Sequence, residues 1–126
     1  MKYILILSIL LFSNMPLLYA EESTFSVWMQ PTEFDSFYTS KPYNEYPIII
    51  EAKLLLGDGV VFRALFIQKP SNDFEFQSEY GISDNSFKKI DTKIKSKGFV
   101  LIHHQQVVLM GGLSHQATWV KNENGL

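Results

Sequence analysis

The residues that could carry out chemistry are few, and the first candidates are a serine and a lysine in one predicted helix. Ser86-Phe87-Lys88-Lys89 has the S-x-x-K spacing in which a lysine activates a serine nucleophile. The S-D-N and K-T-G elements that complete such a site do not follow downstream. A minimal serine hydrolase using Ser86 and Lys89 is therefore kept as an alternative, and we expect a protein that is not an enzyme.

A second motif, Gly112-Leu113-Ser114-His115-Gln116, begins like the G-x-S-x-G turn that exposes a nucleophilic serine. It lacks the final glycine, and it follows a predicted hairpin turn instead of opening a helix. The chain has no cysteine, which excludes a thiol nucleophile and a disulfide framework. We therefore expect neither a catalytic residue nor a cofactor.

An internal repeat organises the elements that position these residues. Residues 28–69 align without a gap to the sequence 53 positions later, and apolar and glycine positions coincide: Phe34 with Phe87, Gly59 with Gly112, Ala64 with Ala117 and Phe66 with Trp119. A period of this length indicates one supersecondary unit used twice. We expect a single domain over residues 21–126, with repeats at about 28–69 and 81–122 and a linker at 70–80.

Each repeat has the pattern of a helix followed by a β-hairpin. Pro31 suits the first position of one helix, and the other runs from an N-cap at Ser83 to a stop at Gly98. A three-residue loop with Gly59 in the left-handed region places the apolar residues of the first hairpin on one face. The sequence thus predicts an α+β fold: two αββ repeats form a four-stranded, mainly antiparallel sheet with two helices on one face.

Polar residues interrupt the helix-facing side of the second hairpin. If its loop matches the first, three polar residues replace the apolar Ile50, Ala52 and Phe62: His103, Gln105 and His115. Buried polar groups need partners, so these side chains form either a satisfied network or a small polar ligand pocket. A metal is not expected, because His103 and His115 lie roughly 13 Å apart along paired strands.

The opposite face of the predicted sheet carries many apolar side chains that a single domain leaves uncovered. Such a surface is typical of an interface, and the candidate contact residues are Val61, Leu65, Ile102 and Val108. We expect a homodimer or a protein partner on this face. The alternative is that the chain covers part of the face itself, with Phe25, Val27 and Trp28 and with Phe74 and Phe76 of the linker.

The first twenty residues differ from the rest. Lys2 precedes an apolar run from Ile4 to Phe12, and Ala20 supplies the small residue of a cleavage site. The run is about half the ~20 residues of a spanning helix. We expect residues 1–20 to be a signal peptide, the protein to be exported to the periplasm or the medium, and no stable membrane insertion after cleavage.

Charge narrows the range of partners. Without Lys2 the chain has ten basic and thirteen acidic side chains, a net charge near −3, which argues against nucleic-acid binding. Residues 21–79 are acidic and residues 80–126 are basic, with net charges of about −6 and +3. Lys89, Lys93 and Lys97 form a helical stripe that either is solvated or meets an acidic partner or anionic envelope polymer.

The second repeat resembles a known unit. With Tyr80-Gly81-Ile82-Ser83, Lys97-Gly98-Phe99 and Ala117-Thr118-Trp119, it is similar to one unit of the bacterial tandem repeat domain that accompanies β-lactamase-like serine hydrolases, including polyglycine hydrolases. The first repeat, with Tyr46-Pro47 and the run from Phe62 to Phe66, looks like a more divergent unit. The resemblance implies an extracellular, noncatalytic repeat that supports or recognises a substrate, although only two units and no hydrolase domain are present.

The sequence therefore predicts an exported, noncatalytic binding or scaffold module that recognises a protein or an envelope polymer. Two alternatives belong to other classes. One is the hydrolase described above, and the other is a structural subunit that assembles through its own sheet face.

Overall fold

The computed structural model describes residues 24–122, and within them the chain has an α+β fold of two helices and five strands. The elements in chain order are α1 (Pro31–Thr39), β1 (Glu45–Leu55), β2 (Gly59–Gln68), β3 (Phe76–Ser83), α2 (Asp84–Ser96), β4 (Phe99–Leu109) and β5 (Gly112–Lys121). The predicted signal peptide lies outside the described residues. No helix among the described residues is long and apolar enough to cross a membrane.

The first helix begins, and the second begins and ends, where the sequence predicts. Pro31 occupies the first turn of α1, where its missing N–H would have no helical partner. Ser83 caps α2, because its Oγ accepts a hydrogen bond from the Ser86 backbone N–H at 3.2 Å. Gly98 follows α2 with φ +92°, a conformation that favours glycine and ends the helix.

The first hairpin has the predicted loop length and facing. Leu55 pairs with Gly59, leaving three residues in the loop, one position earlier than the sequence suggested. Gly57 within the loop and Gly59 directly after it have φ of +90° and +78°, conformations that L side chains rarely adopt. Ala52 pairs with Phe62, and both are buried, so the even-numbered residues face the core as predicted.

The second hairpin differs. Leu109 pairs with Gly112, so its turn has two residues, and the expected three-residue loop is wrong. His115 therefore pairs with Gln106. Because a one-residue slip exchanges the two faces of a strand, residues 103–109 of β4 point to the opposite side of the sheet from the one predicted from β5. A bulge between Leu101 and His103 shifts the register again at the start of β4.

The predicted four-stranded sheet is also wrong. The strands form two antiparallel sheets, β1-β2 and β3-β5-β4. The third strand of the larger sheet comes from the segment expected to be a linker, where Phe76 pairs with Val120 and Gln77 with Trp119. No strand ladder joins β1 to β4, because side chains take up hydrogen bonds of β1, as described below.

Each helix packs on its own sheet, and the two do not share one face. Phe34 of α1 is fully buried against the first hairpin, stacked on Phe62 at 5.4 Å between ring centroids. The α2 core centres on Trp119, also fully buried, and includes Phe87 and Ile94. Tyr80 of β3 joins the first core, 4.8 Å from Phe34 in an edge-to-face contact.

Candidate functional site

The three polar residues singled out in the second repeat do not come together. His103 and Gln105 face the first hairpin, whereas His115 faces α2. The two-residue turn is the cause, since it pairs His115 with Gln106 instead of aligning it with the odd-numbered residues of β4. These residues therefore form two separate structures.

His103 and Gln105 bind the backbone of β1. The His103 Nε2–H donates to the Ile50 carbonyl oxygen at 2.8 Å. The Gln105 amide accepts from the Ala52 N–H at 2.9 Å and donates to the Ala52 carbonyl at 3.0 Å. Both contacts join residues 53 positions apart, so β1 and β4 run parallel here and in register with the repeat. We call these contacts the polar seam.

Two further side chains, from β5, complete the polar seam. The Thr118 hydroxyl donates to the Pro47 carbonyl at 2.8 Å. Gln116, which is fully buried, accepts from the Gly81 N–H at 2.6 Å and donates to Gln105 Oε1 at 3.2 Å. Because these polar groups bond to one another and to the backbone, the polar seam is a satisfied network, one of the two alternatives that the sequence left open for His103 and Gln105.

On the other side of the same sheet, Asp84, His115 and His104 form a hydrogen-bonded chain, the histidine chain. His115 is almost fully buried, and its Nε2–H donates to Asp84 Oδ1 at 2.9 Å. Its Nδ1 is then the acceptor for the His104 Nε2–H at 2.8 Å. Phe87 stacks on both imidazoles, with centroid distances of 4.2 Å to His104 and 4.6 Å to His115.

The surroundings of the histidine chain shift two pKa values. The ion pair with Lys88, at 3.2 Å, and then the bond from His115 lower the pKa of Asp84. Partial burial, followed by the neighbouring imidazoles of His115 and His103, lowers the pKa of His104, because a partly desolvated imidazole beside other histidines holds a proton less well. The neutral form of His104 is therefore favoured in the folded protein.

This chain of a carboxylate and two imidazoles could orient a general base, but it lacks a nucleophile. Within residues 24–122, the structure shows no serine or threonine hydroxyl hydrogen-bonded to His104, and Ser114 has its Oγ without a partner. Ser86 and Lys89 both lie on the exposed side of α2, and no hydrogen bond joins them in this part of the chain. The predicted alternative of a Ser86–Lys89 pair has no geometric support.

A cleft of about 480 Å³ lies between the two hairpins. Its walls are mostly apolar and come from both repeats and β3: Pro31, Val60, Phe62, Ile82, Leu109 and Leu113. At its rim the Tyr80 hydroxyl donates to Asp35 Oδ1 at 2.8 Å. Burial and this hydrogen bond raise the pKa of Tyr80, so Tyr80 remains a neutral donor.

One polar atom on the cleft wall has no partner. Ser114 is only 7% exposed, lines the cleft, and its Oγ makes no hydrogen bond. An unsatisfied buried hydroxyl costs free energy, typically about 1–3 kcal/mol. Ser83 lies beside it as its strand partner, but the Ser83 hydroxyl is used to cap α2.

Gly81 shapes the cleft wall at this point. The β3–β5 register shifts between Glu79 and Ile82, and Gly81 has φ +68°, a conformation that L side chains rarely adopt. A Cβ at this position would lie 3.4 Å from Phe62 Cζ. The bulge therefore brings the β3 backbone close to the first hairpin, as bulges near binding sites often do.

The four candidate interface residues differ in exposure. Val61 is 3% exposed, Leu65 is half-buried, and Ile102 and Val108 are 43% and 73% exposed. Val61 has no surface to offer a partner. The prediction of an interface on this face stays a prediction for Leu65, Ile102 and Val108.

The chain's own N-terminal segment lies against the first hairpin. Met29 exchanges backbone hydrogen bonds of 2.8 Å with Phe62. Phe25 and Trp28 lie over the Arg63 guanidinium, at 4.1 and 4.6 Å from it. The N-terminal segment therefore covers part of the first hairpin, which is the alternative to a partner that the sequence analysis named.

The cleft and the histidine chain contain residues that sequence reasoning did not single out. Neither Asp84 nor His104 was a candidate site residue in the sequence. The repeat carried one usable signal: His115 aligns with Phe62, and both rings stack on the equivalent helix phenylalanine. Ser114 was noted only within an incomplete nucleophile motif.

No protein-family model, curated protein or solved structure matches the chain. Among residues 24–122, no group of three or more His, Cys, Asp or Glu side chains could hold a metal ion. The site must therefore be interpreted from its own geometry.

Proposed function

We propose that this protein is an exported, noncatalytic binding module whose ligand site is the cleft between the two hairpins. The observation that carries the proposal is the buried, unpartnered Ser114 hydroxyl on a mostly apolar wall. A pocket of this size and polarity, with a few polar groups that fix orientation, is typical of ligand sites. As part of this proposal, the two repeats are divergent units similar to the tandem repeat domain that accompanies serine hydrolases. The resemblance implies that such units recognise or support a substrate.

The apolar walls favour a protein partner over an envelope polymer. A hydrated polysaccharide needs many hydrogen-bonding groups, whereas the polar side chains of the cleft are few: the serines Ser83 and Ser114 and the rim pair of Tyr80 and Asp35. An apolar or aromatic side chain of a partner protein would fill the cleft and desolvate its walls. A polar group on that side chain would satisfy Ser114.

The test uses two small probes that differ by one hydroxyl, N-acetyl-tyrosinamide and N-acetyl-phenylalaninamide, followed by NMR titration of backbone amides. We expect saturable shifts at Gly111 and Gly112, and tighter binding of the tyrosine probe by up to about tenfold, the worth of one hydrogen bond. Ser114→Ala should remove this difference while raising the free energy of unfolding, because no orphaned hydroxyl remains.

Two controls make the result decisive. Leu113→Arg should abolish binding of both probes, whereas Val100→Arg, at a 41% exposed position outside the cleft, should not. Chitotetraose serves as the polymer probe and should cause no cleft shifts. If neither aromatic probe shifts the cleft amides, or if Leu113→Arg binds as the native protein does, the cleft is not the ligand site.

The noncatalytic part of the proposal has its own test. A fluorophosphonate probe labels activated serines, and intact mass measurement should show no adduct on the folded protein. An adduct that disappears in Ser86→Ala would establish the hydrolase alternative in place of the binding module.

A further inference from the structure

The turns of the two hairpins lie together at one end of the molecule. The polar seam places β1 and β4 parallel, with Ala52 beside Gln105, so both strands end on the same side. The cleft confirms the proximity of the turns, since Val60 and Gly111 both line it. The most exposed apolar residues of the described chain are at this end, where Leu56 is 100% and Met110 is 96% exposed.

Six large apolar side chains are exposed at these turns, and we call them the apolar tips: Leu54, Leu55, Leu56, Val108, Met110 and Leu113. Asp58 is the sole charged residue in the segments 54–60 and 107–114. Hairpin turns are usually polar because they face water. Apolar side chains placed at such turns indicate contact with an apolar phase.

The described part of the chain does not cover the apolar tips. Thr24, at the start of the described residues, lies near Phe66 toward the other end of β2. Asn122, at their end, bonds to Gly98 at the start of β4. Both chain ends of the described structure are thus at the end opposite the turns.

The size, shape and polarity of the apolar tips favour a lipid surface over a second copy. Their exposed area is on the order of several hundred Å², comparable to the largest patch on a typical monomer. Leu56 and Met110 protrude into solvent, and protruding side chains can enter a fluid bilayer without a complementary groove. With Asp58 as their one charge, the apolar tips offer no attraction to anionic lipid.

Trp28 and Lys53 lie just behind the tip of the first hairpin. The Lys53 ammonium is 4.3 Å from the centre of the Trp28 ring, and Lys53 immediately precedes Leu54. Tryptophan is enriched at the level of lipid headgroups, and a lysine can extend its ammonium to the same level. This pair therefore stands where the headgroups would be if the tips were immersed.

We propose that the apolar tips dock reversibly on the surface of a zwitterionic lipid bilayer, with Leu56 and Met110 immersed. This contact is peripheral and does not span the membrane, and it goes beyond the cleft function and does not depend on it. Its strength scales with the apolar area buried. The contact would set the mouth of the cleft at the lipid surface, because Leu113 belongs to both.

The test is flotation of the protein with phosphatidylcholine vesicles, using residues 21–126 in place of the full chain so that the predicted signal peptide does not contribute. We expect binding that persists at high salt. The double variant Leu56→Ser/Met110→Ser should lower the affinity for vesicles about tenfold or more, since burial of even one such side chain raises an affinity by about a factor of ten. Val100→Ser is the matched control, and both variants should melt as the native protein does, because the changed residues are exposed.

A second readout reports depth. In Met110→Trp, emission should shift to the blue with vesicles and be quenched by brominated phosphatidylcholine. Absence of binding to phosphatidylcholine, or binding only to phosphatidylglycerol that salt abolishes, would overturn the proposal. So would a lipid-free dimer, seen by sedimentation, that Leu56→Ser/Met110→Ser dissociates. Ser114→Ala should float unchanged, so failure of the cleft function and failure of lipid docking are distinguishable.

Discussion

The two hairpin units form similar stacks between helix and second strand. They differ in the side of the sheet to which equivalent side chains of their first strands point. In the first unit the helix residue Phe34 stacks on Phe62 at 5.4 Å, and in the second Phe87 stacks on His115 at 4.6 Å. These positions are 53 residues apart in each case. The contact between helix and second strand is thus common to both units.

The first strands differ because the turns differ by one residue. A three-residue loop keeps Ala52 on the helix side of the first hairpin. Gln105 is the residue equivalent to Ala52 in the second repeat. The two-residue turn places Gln105 on the side of the second sheet away from α2, and it places His104 on the α2 side, beside His115. One residue in a turn therefore decides which side chains form the polar seam and which form the histidine chain.

The largest expected effect comes from changing that turn. Insertion of one glycine between Met110 and Gly111 would give the second hairpin a three-residue loop, and would force β4 to reverse its faces if the loop sets the register. We expect a loss of stability above about 4 kcal/mol, measured by urea unfolding followed by circular dichroism.

The matched control for this insertion is one glycine inserted between Ser71 and Asn72, in an exposed connection. It should change the unfolding midpoint little. An insertion at Met110 that leaves stability unchanged would show that packing, and not turn length, fixes the facing of β4.

The polar seam should give an intermediate effect. Gln105→Ala removes the partner of both the Ala52 N–H and the Ala52 carbonyl, and we expect a loss of about 1–3 kcal/mol, the cost of unsatisfied buried groups. Gln106→Ala, one residue along and exposed, is the control and should stay within about 0.5 kcal/mol. Equal effects of the two substitutions in urea unfolding would contradict the role of the polar seam.

The histidine chain should give the smallest effect, visible as a dependence of stability on pH. The folded-state pKa of His104 is lowered, so the unfolded chain binds its proton more readily. The contribution of neutral His104 to the free energy of unfolding is complete above the ordinary histidine pKa of about 6.5. It is lost as the pH falls from there toward the lower pKa that His104 has in the folded protein. Because His104 is exposed, we expect a difference below about 1 kcal/mol.

This pH effect is measured by urea unfolding between about pH 8 and about pH 5.5. Comparison with His104→Gln isolates it, since glutamine keeps a donor for His115 and does not titrate. The native protein should lose more stability than the variant over this range. An equal loss in both would mean that His104 does not account for the slope.

The sequence by itself determined the local elements. The positions of Pro31, Ser83 and Gly98 fixed where the helices begin or end, since the preferred backbone angles and cap hydrogen bonds of these residues are local properties. The apolar pattern after each helix predicted the two hairpins, and with them four of the five strands. The consistency of charged and apolar faces was enough to choose the loop length in the first hairpin.

Tertiary structure decided the rest, and with it the candidate site. Met110-Gly111-Gly112 accommodates a turn of either length, because glycine tolerates both, and only packing against β1 and α2 selects one. Residues 76–83 became a strand because β5 offered an edge, which no local pattern shows. The cleft at Ser114 exists only where both hairpins and the bulge at Gly81 meet, so residues far apart in sequence had to be brought together before the site could be seen.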